Sequence, residues 1–274
     1  MNMVSGINKK NRVTIKDVAT AADVSIATVS YVLNNTPGQS ISDDTRKKVL
    51  QFANLLGYKC NIMARYLATG KTNTVSLVFK EIDGLEAQYY FKLIAELSRL
   101  LYRKNMTLKL ADYTDEISAG GNSCDAYITV ALTEKEFHAF ADTKYVPVIA
   151  VDSVFDDFLF YRINDNYSDL YRKAKNELNA DSVTLLTFAL PQECLDRARK
   201  AFDDVITIRT LSDLLSIDKN RCYATVYKAI SDSLSSPVYL ESASFALKAS
   251  AAVGAAIKAI SRVQSSTDEH DITV

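Results

Sequence analysis

Residues 14–34 read TIKDVATAADVSIATVSYVLN, and residues 41–57 read ISDDTRKKVLQFANLLG. In the first stretch Ile15, Val18, Ala19 and Ala22 recur at helical spacing and mark one apolar face. Thr14 can cap that helix, with Asp17 three residues on as the capping-box partner. Ala22-Asp23-Val24 breaks the pattern. Ser25 then caps a second helix that turns Val29, Val32 and Leu33 inward. Asn34-Asn35-Thr36-Pro37-Gly38 is a turn cluster. Ser42 caps a third helix, whose first turn carries Asp43 and Asp44 against the helix dipole. Val49, Phe52, Ala53 and Leu56 form its inner face, and Gly57 ends it. Three short helices with a tight turn between the first two predict a helix-turn-helix.

The second helix shows what such a head is for. Its outward positions are Ile26, Ala27, Thr28, Ser30, Tyr31 and Asn34, not the Lys/Glu mixture of a merely solvated face. Hydroxyls and amides bond phosphate oxygens and base edges, and short side chains let a helix sit deep in the major groove. Charge agrees. Residues 1–80 hold 11 Lys+Arg against 4 Asp+Glu, while residues 81–274 hold 21 against 29. A basic head on an acidic body points to an anionic partner for the head.

The run VTIKDVATAADVSIATVSYVLNN (13–35), followed by ISDDTRKKVLQFANLLGYKCNIMARYLATGKTNTVSLVF (41–79), resembles the lactose-repressor (LacI/GalR) family of bacterial transcription regulators. The likeness is nearly unbroken from about Arg12 to Phe79. It implies a homodimer on double-stranded DNA with a pseudo-palindromic operator, most simply a repressor. It makes Ser25 to Asn34 the recognition helix, with Ile26, Ala27 and Tyr31 at base-reading positions. Thr14, Ser25, Thr28, Ser30 and Asn34 match phosphate-contacting or groove-positioning sites. Residues 61–68, NIMARYLA, match the family's hinge helix, with Asn61 as its cap and Ala64 and Leu67 among its DNA contacts. Eight residues are too few for a stable isolated helix, so DNA and a twin copy would hold it. Leu67 matches a leucine wedge that enters the minor groove.

Three residues depart from the family pattern. Tyr31 stands where many members carry Arg or His, which removes bidentate reading of guanine. Asp23 replaces a turn Gly, and Asp tolerates the left-handed conformation better than most residues. Cys60 replaces a common Pro before the hinge, leaving the hinge less pre-set.

The rest of the chain alternates strand and helix. NTVSLVFK, TLKLADY, DAYITVAL and VPVIAVDS read as parallel strands, with helices over Tyr89 to Leu101 and Glu134 to Thr143. In the first helix Phe91, Ile94, Leu97 or Ser98, and Leu101 fall at helical steps. This is a doubly wound α/β pattern. It resembles the family's effector domain, a periplasmic-binding-protein-like fold of two lobes. RINDNYSDLYRKAKNEL matches the crossover into the second lobe. SVTLLTFAL, a helix near Gln192 to Phe202, CYATVYKA, PVYLES and the helix in FALKASAAVGAAIKAIS would build it. The expected organisation is an all-α DNA-binding domain over 12–60, a hinge helix and linker over 61–73, and an α/β effector and dimerisation domain over 74–265. The second lobe is expected to be reduced.

The body departs further from the family. Only 11 residues separate Tyr113 from Asp125, too few for a full crossover helix, so that helix should be missing or cut to a turn. Tyr89, Tyr90 and Asp152 match positions of a pocket for a sugar-like effector. The family's sugar-gripping Arg has only out-of-register candidates, Arg197 and Arg199, and its usual Gly after the Asp-Asn pair is Asp169. A second organisation therefore stays open: a sugar-binding or purely dimerising body with a vestigial head.

Composition bounds the rest. The chain has 274 residues, 48 % apolar and 24 % charged, enough to bury a sizeable core. No apolar run approaches the ~18–20 residues of a membrane span. MNMVSGINKKNR lacks the hydrophobic run of a signal peptide, so a cytoplasmic protein is expected. Cys60, Cys124, Cys194 and Cys222 are widely spaced, which fits reduced thiols rather than a disulfide framework or zinc site. His138 and His270 neighbour no nucleophile motif, and there is no GxGxxG. Gly70-Lys71-Thr72 imitates the end of a phosphate loop, but Arg65 occupies the first-Gly position. No enzymatic activity, cofactor or metal is expected.

Overall fold

A computed structural model describes residues 13–34, 38–58, 70–80, 84–119, 124–262 and 270–274. The chain divides into two compact units, Met1–Ala68 and Thr69–Val274. Asn61, Ala64 and Leu67, and with them the expected hinge helix, lie outside the described residues.

The first unit is three helices: α1 (Ile15–Ala22), α2 (Ile26–Leu33) and α3 (Asp43–Leu55). Each begins on a side-chain cap. Thr14 and Asp17 form the full capping box, with the Asp17 carboxylate accepting from the Thr14 amide and hydroxyl, both at 2.8 Å. Those bonds to the Thr14 backbone and side chain hold the Asp17 carboxyl below its ordinary range. Ser25 and Ser42 accept from the amides of Thr28 and Thr45 at 3.0 and 3.2 Å. Val18, Ala19, Ala22, Val29, Val32, Val49 and Ala53 make the core, with Leu33, Phe52 and Leu56 packed partly buried against it.

α1 ends in a Schellman turn: the Val24 amide donates to the Ala19 carbonyl at 3.1 Å, with Asp23 left-handed at φ 52°. A left-handed Asp is tolerated but strained. Asp23→Gly is therefore expected to stabilise the head by a few tenths of a kcal/mol to about 1 kcal/mol, and Asp23→Val to destabilise it by about 1–2 kcal/mol. Hydrogen-exchange protection of the Val18 and Val29 amides in the full chain reads both, and equal protection in the two variants would refute the assignment.

The second unit holds two parallel sheets. Its elements are β1 (Thr74–Phe79), α4 (Ala87–Tyr102), β2 (Thr107–Asp112), α5 (Tyr113–Ser118), β3 (Ala126–Val130), α6 (Glu134–Ala141), β4 (Val148–Val151), β5 (Tyr161–Asn164), α7 (Tyr167–Leu178), β6 (Thr184–Thr187), α8 (Gln192–Arg199), β7 (Asp204–Thr207), α9 (Leu211–Leu215), β8 (Tyr223–Thr225), α10 (Lys228–Ser233), β9 (Val238–Leu240), α11 (Ser244–Ile260) and β10 (Asp271–Thr273). The six-stranded sheet runs β10-β5-β4-β3-β1-β2, and the four-stranded sheet runs β7-β6-β8-β9. Every pairing is parallel, as the doubly wound pattern requires.

Three features differ from the sequence reading or extend it. The crossover after β2 keeps a helix, but one of six residues. It is enough to bury Glu116, which accepts from the Tyr127 hydroxyl at 2.7 Å and from Lys109 at 3.1 Å. The four-stranded sheet gains β7. The six-stranded sheet gains β5, at the start of the stretch read as the crossover, and β10, which lies beyond residue 265 and pairs with it. Finally, α4 buries Leu97 and Leu101 and packs Ile94 against the core, as its spacing predicts, but it turns Phe91 outward and Leu93 inward. Leu93, Leu97 and Leu101 face inward, and Phe91 is 71 % exposed. Phe91 and Leu93 are both apolar, so periodicity alone did not separate these two positions.

Surface ion pairs give the body a defined acid response. Glu136 is half-buried, which would raise its carboxyl, but the 2.8 Å bond from Lys80 and those from Thr133 outweigh burial and set it below the ordinary 4.5. Such a group contributes stability above its unfolded value and loses it as pH falls through the folded one. Lys80→Met is thus expected to cost under about 1 kcal/mol at pH 7, a cost that shrinks as pH falls below the ordinary carboxyl range and vanishes once Glu136 is protonated in the folded chain, read by calorimetry against the parent. A cost that does not change with pH across the acid range would assign the effect to packing instead.

Candidate nucleic-acid interface and the cleft of the body

On α2 the angular positions of residues settle which side is open. Ala27, Tyr31 and Asn34 fall on one stripe, flanked by Ile26 and Ser30, while Val29 and Val32 point the opposite way into the core. Ser25, Ile26, Ala27, Tyr31 and Asn34 are exposed, and Thr28 and Ser30 are half-buried. Ile26 is 48 % and Tyr31 37 % accessible, outside the small core of this unit. The polar groups are pre-set. The Ser25 and Thr28 hydroxyls lie 2.8 Å apart at the helix N-terminus, and Asn34 donates to Ser30 at 3.2 Å. A helix N-terminus ringed by hydroxyls suits a phosphate oxygen. Exposed Thr14 and Lys16 at the start of α1 and exposed Lys47 and Lys48 on α3 add polar and basic groups to the same unit.

Residues 14–61 match the sequence pattern described as bacterial regulatory proteins, lacI family. The chain carries a lacI-family head. The catabolite control protein A of Priestia megaterium is 39 % identical over 106 residues, covering 38 % of this chain and 30 % of that protein. The HTH-type transcriptional regulator pepR1 of Lactobacillus delbrueckii subsp. lactis is 32 % identical over 186 residues, 63 % of this chain and 53 % of the relative. The chain thus spans between a third and about half the length of these curated relatives. A solved lac repressor bound to ONPG in the repressed state superposes with a TM-score of 0.60 at 18 % identity, covering 96 % of this chain and 97 % of that one. That likeness supports the fold of the body: a lacI-type architecture with a periplasmic-binding-protein-like, two-sheet body.

The expected effector residues are brought together but not left open. Tyr89, Tyr90 and Asp152 are 5 %, 6 % and 3 % exposed. Asp152 leaves the C-terminal end of β4 with φ 53°, and Asp165 follows β5, so two carboxylates leave neighbouring strand ends. Between them sits Lys248 of α11, fully buried, with its ammonium 2.5 Å from Asp152 Oδ1 and 2.6 Å from Asp165 Oδ2. Ser244, one turn earlier on α11, donates to Asp165 Oδ1 at 2.6 Å and lies 3.2 Å from the Tyr89 hydroxyl. Burial opposes the charge on Lys248, but Asp152 and Asp165 outweigh it and hold the ammonium protonated well above the usual lysine range. Burial pushes the Asp152 carboxyl up, against the pull of Lys248.

Aromatic rings close the space between the sheets. Tyr227, next to the end of β8, meets Tyr89 at a centroid distance of 4.8 Å and Phe188, after β6, at 4.5 Å. Beside them remains a cavity of about 30 Å³ lined by Tyr89, Phe188 and Tyr227 among others. Arg197 and Arg199 do not turn to the cleft; they pair with Asp271 and Asp196. Asp169 pairs with Arg172 and Lys173. Lys248, Asp165, Ser244 and Tyr227 were not among the residues singled out from sequence. The available signal was a lone Lys on the buried face of the Ala-rich run 244–260, in line with Ser244, Ala252 and Ala255.

Proposed function

We propose that the chain is a sequence-specific DNA-binding transcription regulator that works in the cytoplasm as a homodimer on a pseudo-palindromic operator, in the sense of repression. The observation that carries this reading is α2: its inner face closes a small core while Ala27, Tyr31 and Asn34 stand outward in one short, polar stripe. Ile26, Ala27 and Tyr31 read base edges. Thr14, Ser25, Thr28, Ser30 and Asn34 set the head on phosphates. Asn61, Ala64 and Leu67 of the expected hinge contact DNA, with Leu67 as the minor-groove wedge. No described helix is long and apolar enough to cross a membrane.

For the homodimer, α4 supplies a surface. Phe91, Ala95, Ser98 and Tyr102 form an exposed stripe at i, i+4, i+7 and i+11, with Phe91 71 % and Tyr102 80 % accessible. Small residues between two aromatic ones let a second α4 approach closely. A sugar-like effector on Tyr89, Tyr90 and Asp152 would act only in a conformation whose cleft is open, which disfavours a body-led sugar-binding role with a vestigial head.

Selection from a randomised duplex pool tests the proposal. The expected product is a two-fold symmetric site whose affinity falls steeply with salt, by a slope of about −0.9 per phosphate neutralised. Binding that ignores base order would defeat it.

A further inference from the structure

We propose that Lys248 is the resident ligand of the cleft: a tethered alkylammonium, held by two carboxylates and an aromatic wall, in the place a dissociable small molecule would take. The inference concerns the body alone and stands apart from the DNA-binding proposal.

The site has the construction of a receptor for a primary ammonium. Asp152 and Asp165 come from the C-terminal ends of adjacent parallel strands, the edge where open α/β sheets take ligands. Their oxygens lie 2.5 and 2.6 Å from Nζ, the geometry of charge-assisted bonds. The ammonium also lies 5.5 Å from the centre of the Tyr89 ring, within reach of its negative face. Two carboxylates and an aromatic face form the recognition set for an alkylammonium, whereas a neutral sugar would leave this much buried charge unmatched. The cage even exceeds what one lysine uses. Asp152 Oδ2 is buried and has no hydrogen-bond partner among the described residues.

Space makes the same point. The 30 Å³ left beside Tyr89, Phe188 and Tyr227 admits about one water, while small-molecule sites run to roughly 300 Å³ or more. The ion pair itself lies within the lobe of the six-stranded sheet. Lys248 stands on a helix packed against α4, β3, β4 and β5, and the Tyr89–Tyr227–Phe188 rings join that wall to the strand ends of the second sheet. A strand-end site already filled by the chain's own ammonium needs no outside cation to fill it.

Removing Lys248 should turn the cage into a vacant amine site. Lys248→Ala deletes the equivalent of propylammonium, leaving two buried carboxylates without their cation. In the full chain it is expected to melt about 10 °C below the parent. Millimolar n-propylammonium chloride should restore at least half of that loss saturably, and propanol or sodium chloride at equal concentration should not. The parent chain should show no saturable shift with a panel of neutral mono- and disaccharides. If K248A is insoluble, its refolding yield with and without propylammonium is the readout, and if neither refolds the sugar panel on the parent decides. Saturable stabilisation of the parent by any sugar, or a K248A response equal for propanol and propylammonium, overturns the proposal.

Discussion

A Phe91→Glu chain is expected to sediment as a monomer and to lose roughly 10²–10⁴-fold in affinity for a two-fold symmetric duplex. The change should leave the fold intact, because Phe91 is 71 % exposed and inward packing of α4 rests on Leu93, Leu97 and Leu101. The loss is large because two heads on one dimer bind nearly as one event: once the first head engages, linkage holds the second at high effective concentration. A monomer gives that up and keeps only single-head affinity, so the salt slope should fall as well. Sedimentation and duplex titration must move together. A Phe91→Glu protein that remains dimeric would remove the α4 stripe from the interface. A monomer with unchanged affinity would show that heads act singly.

Tyr31→Arg is expected to redirect base choice without unfolding the head. Tyr31 lies on the open stripe of α2 with Ala27 and Asn34, and its ring is not needed by the core of Val18, Val29 and Val49. A guanidinium there can reach O6 and N7 of guanine together, a contact worth ~1–3 kcal/mol of discrimination. Selection with the variant should therefore favour guanine at one position of each half-site by roughly 10–100-fold over the parent preference. Symmetry repeats the effect in both halves. If parent and variant recover the same site, α2 does not read bases through Tyr31, and its polar face only grips phosphate.

The head was legible because everything that defines it is local. Thr14, Ser25 and Ser42 sit three residues from the amides or carboxylate they bond, and Asp23 stands where α1 needs a left-handed turn. The strands β1, β3 and β4 were legible because buried parallel strands read as apolar runs. β5, β7 and β10 were not: β5 is four residues interrupted by Arg162, and β7 and β10 are four and three residues with acidic first members. On α4 the inward Leu97 and Leu101 were legible, and Phe91 was misplaced for a different reason. The interior of the helix and its exposed stripe are both apolar, and only contact with the sheet distinguishes Leu93 from Phe91. The ion cage escaped because its members stand 83 and 96 residues apart. Nothing within one helix or strand couples Lys248 to either carboxylate.

That separation has a consequence for biosynthesis. At ~5–20 residues per second, a ribosome that has just finished Asp165 needs roughly 4–17 s more to deliver Lys248, 83 residues further on. Throughout that interval the first five strands exist without α11 or β10, so both acids are hydrated and the margin of β5 is bare. The N-terminal lobe therefore matures last although most of it is translated first, and nascent chains halted before α11 should be preferred clients of chaperones.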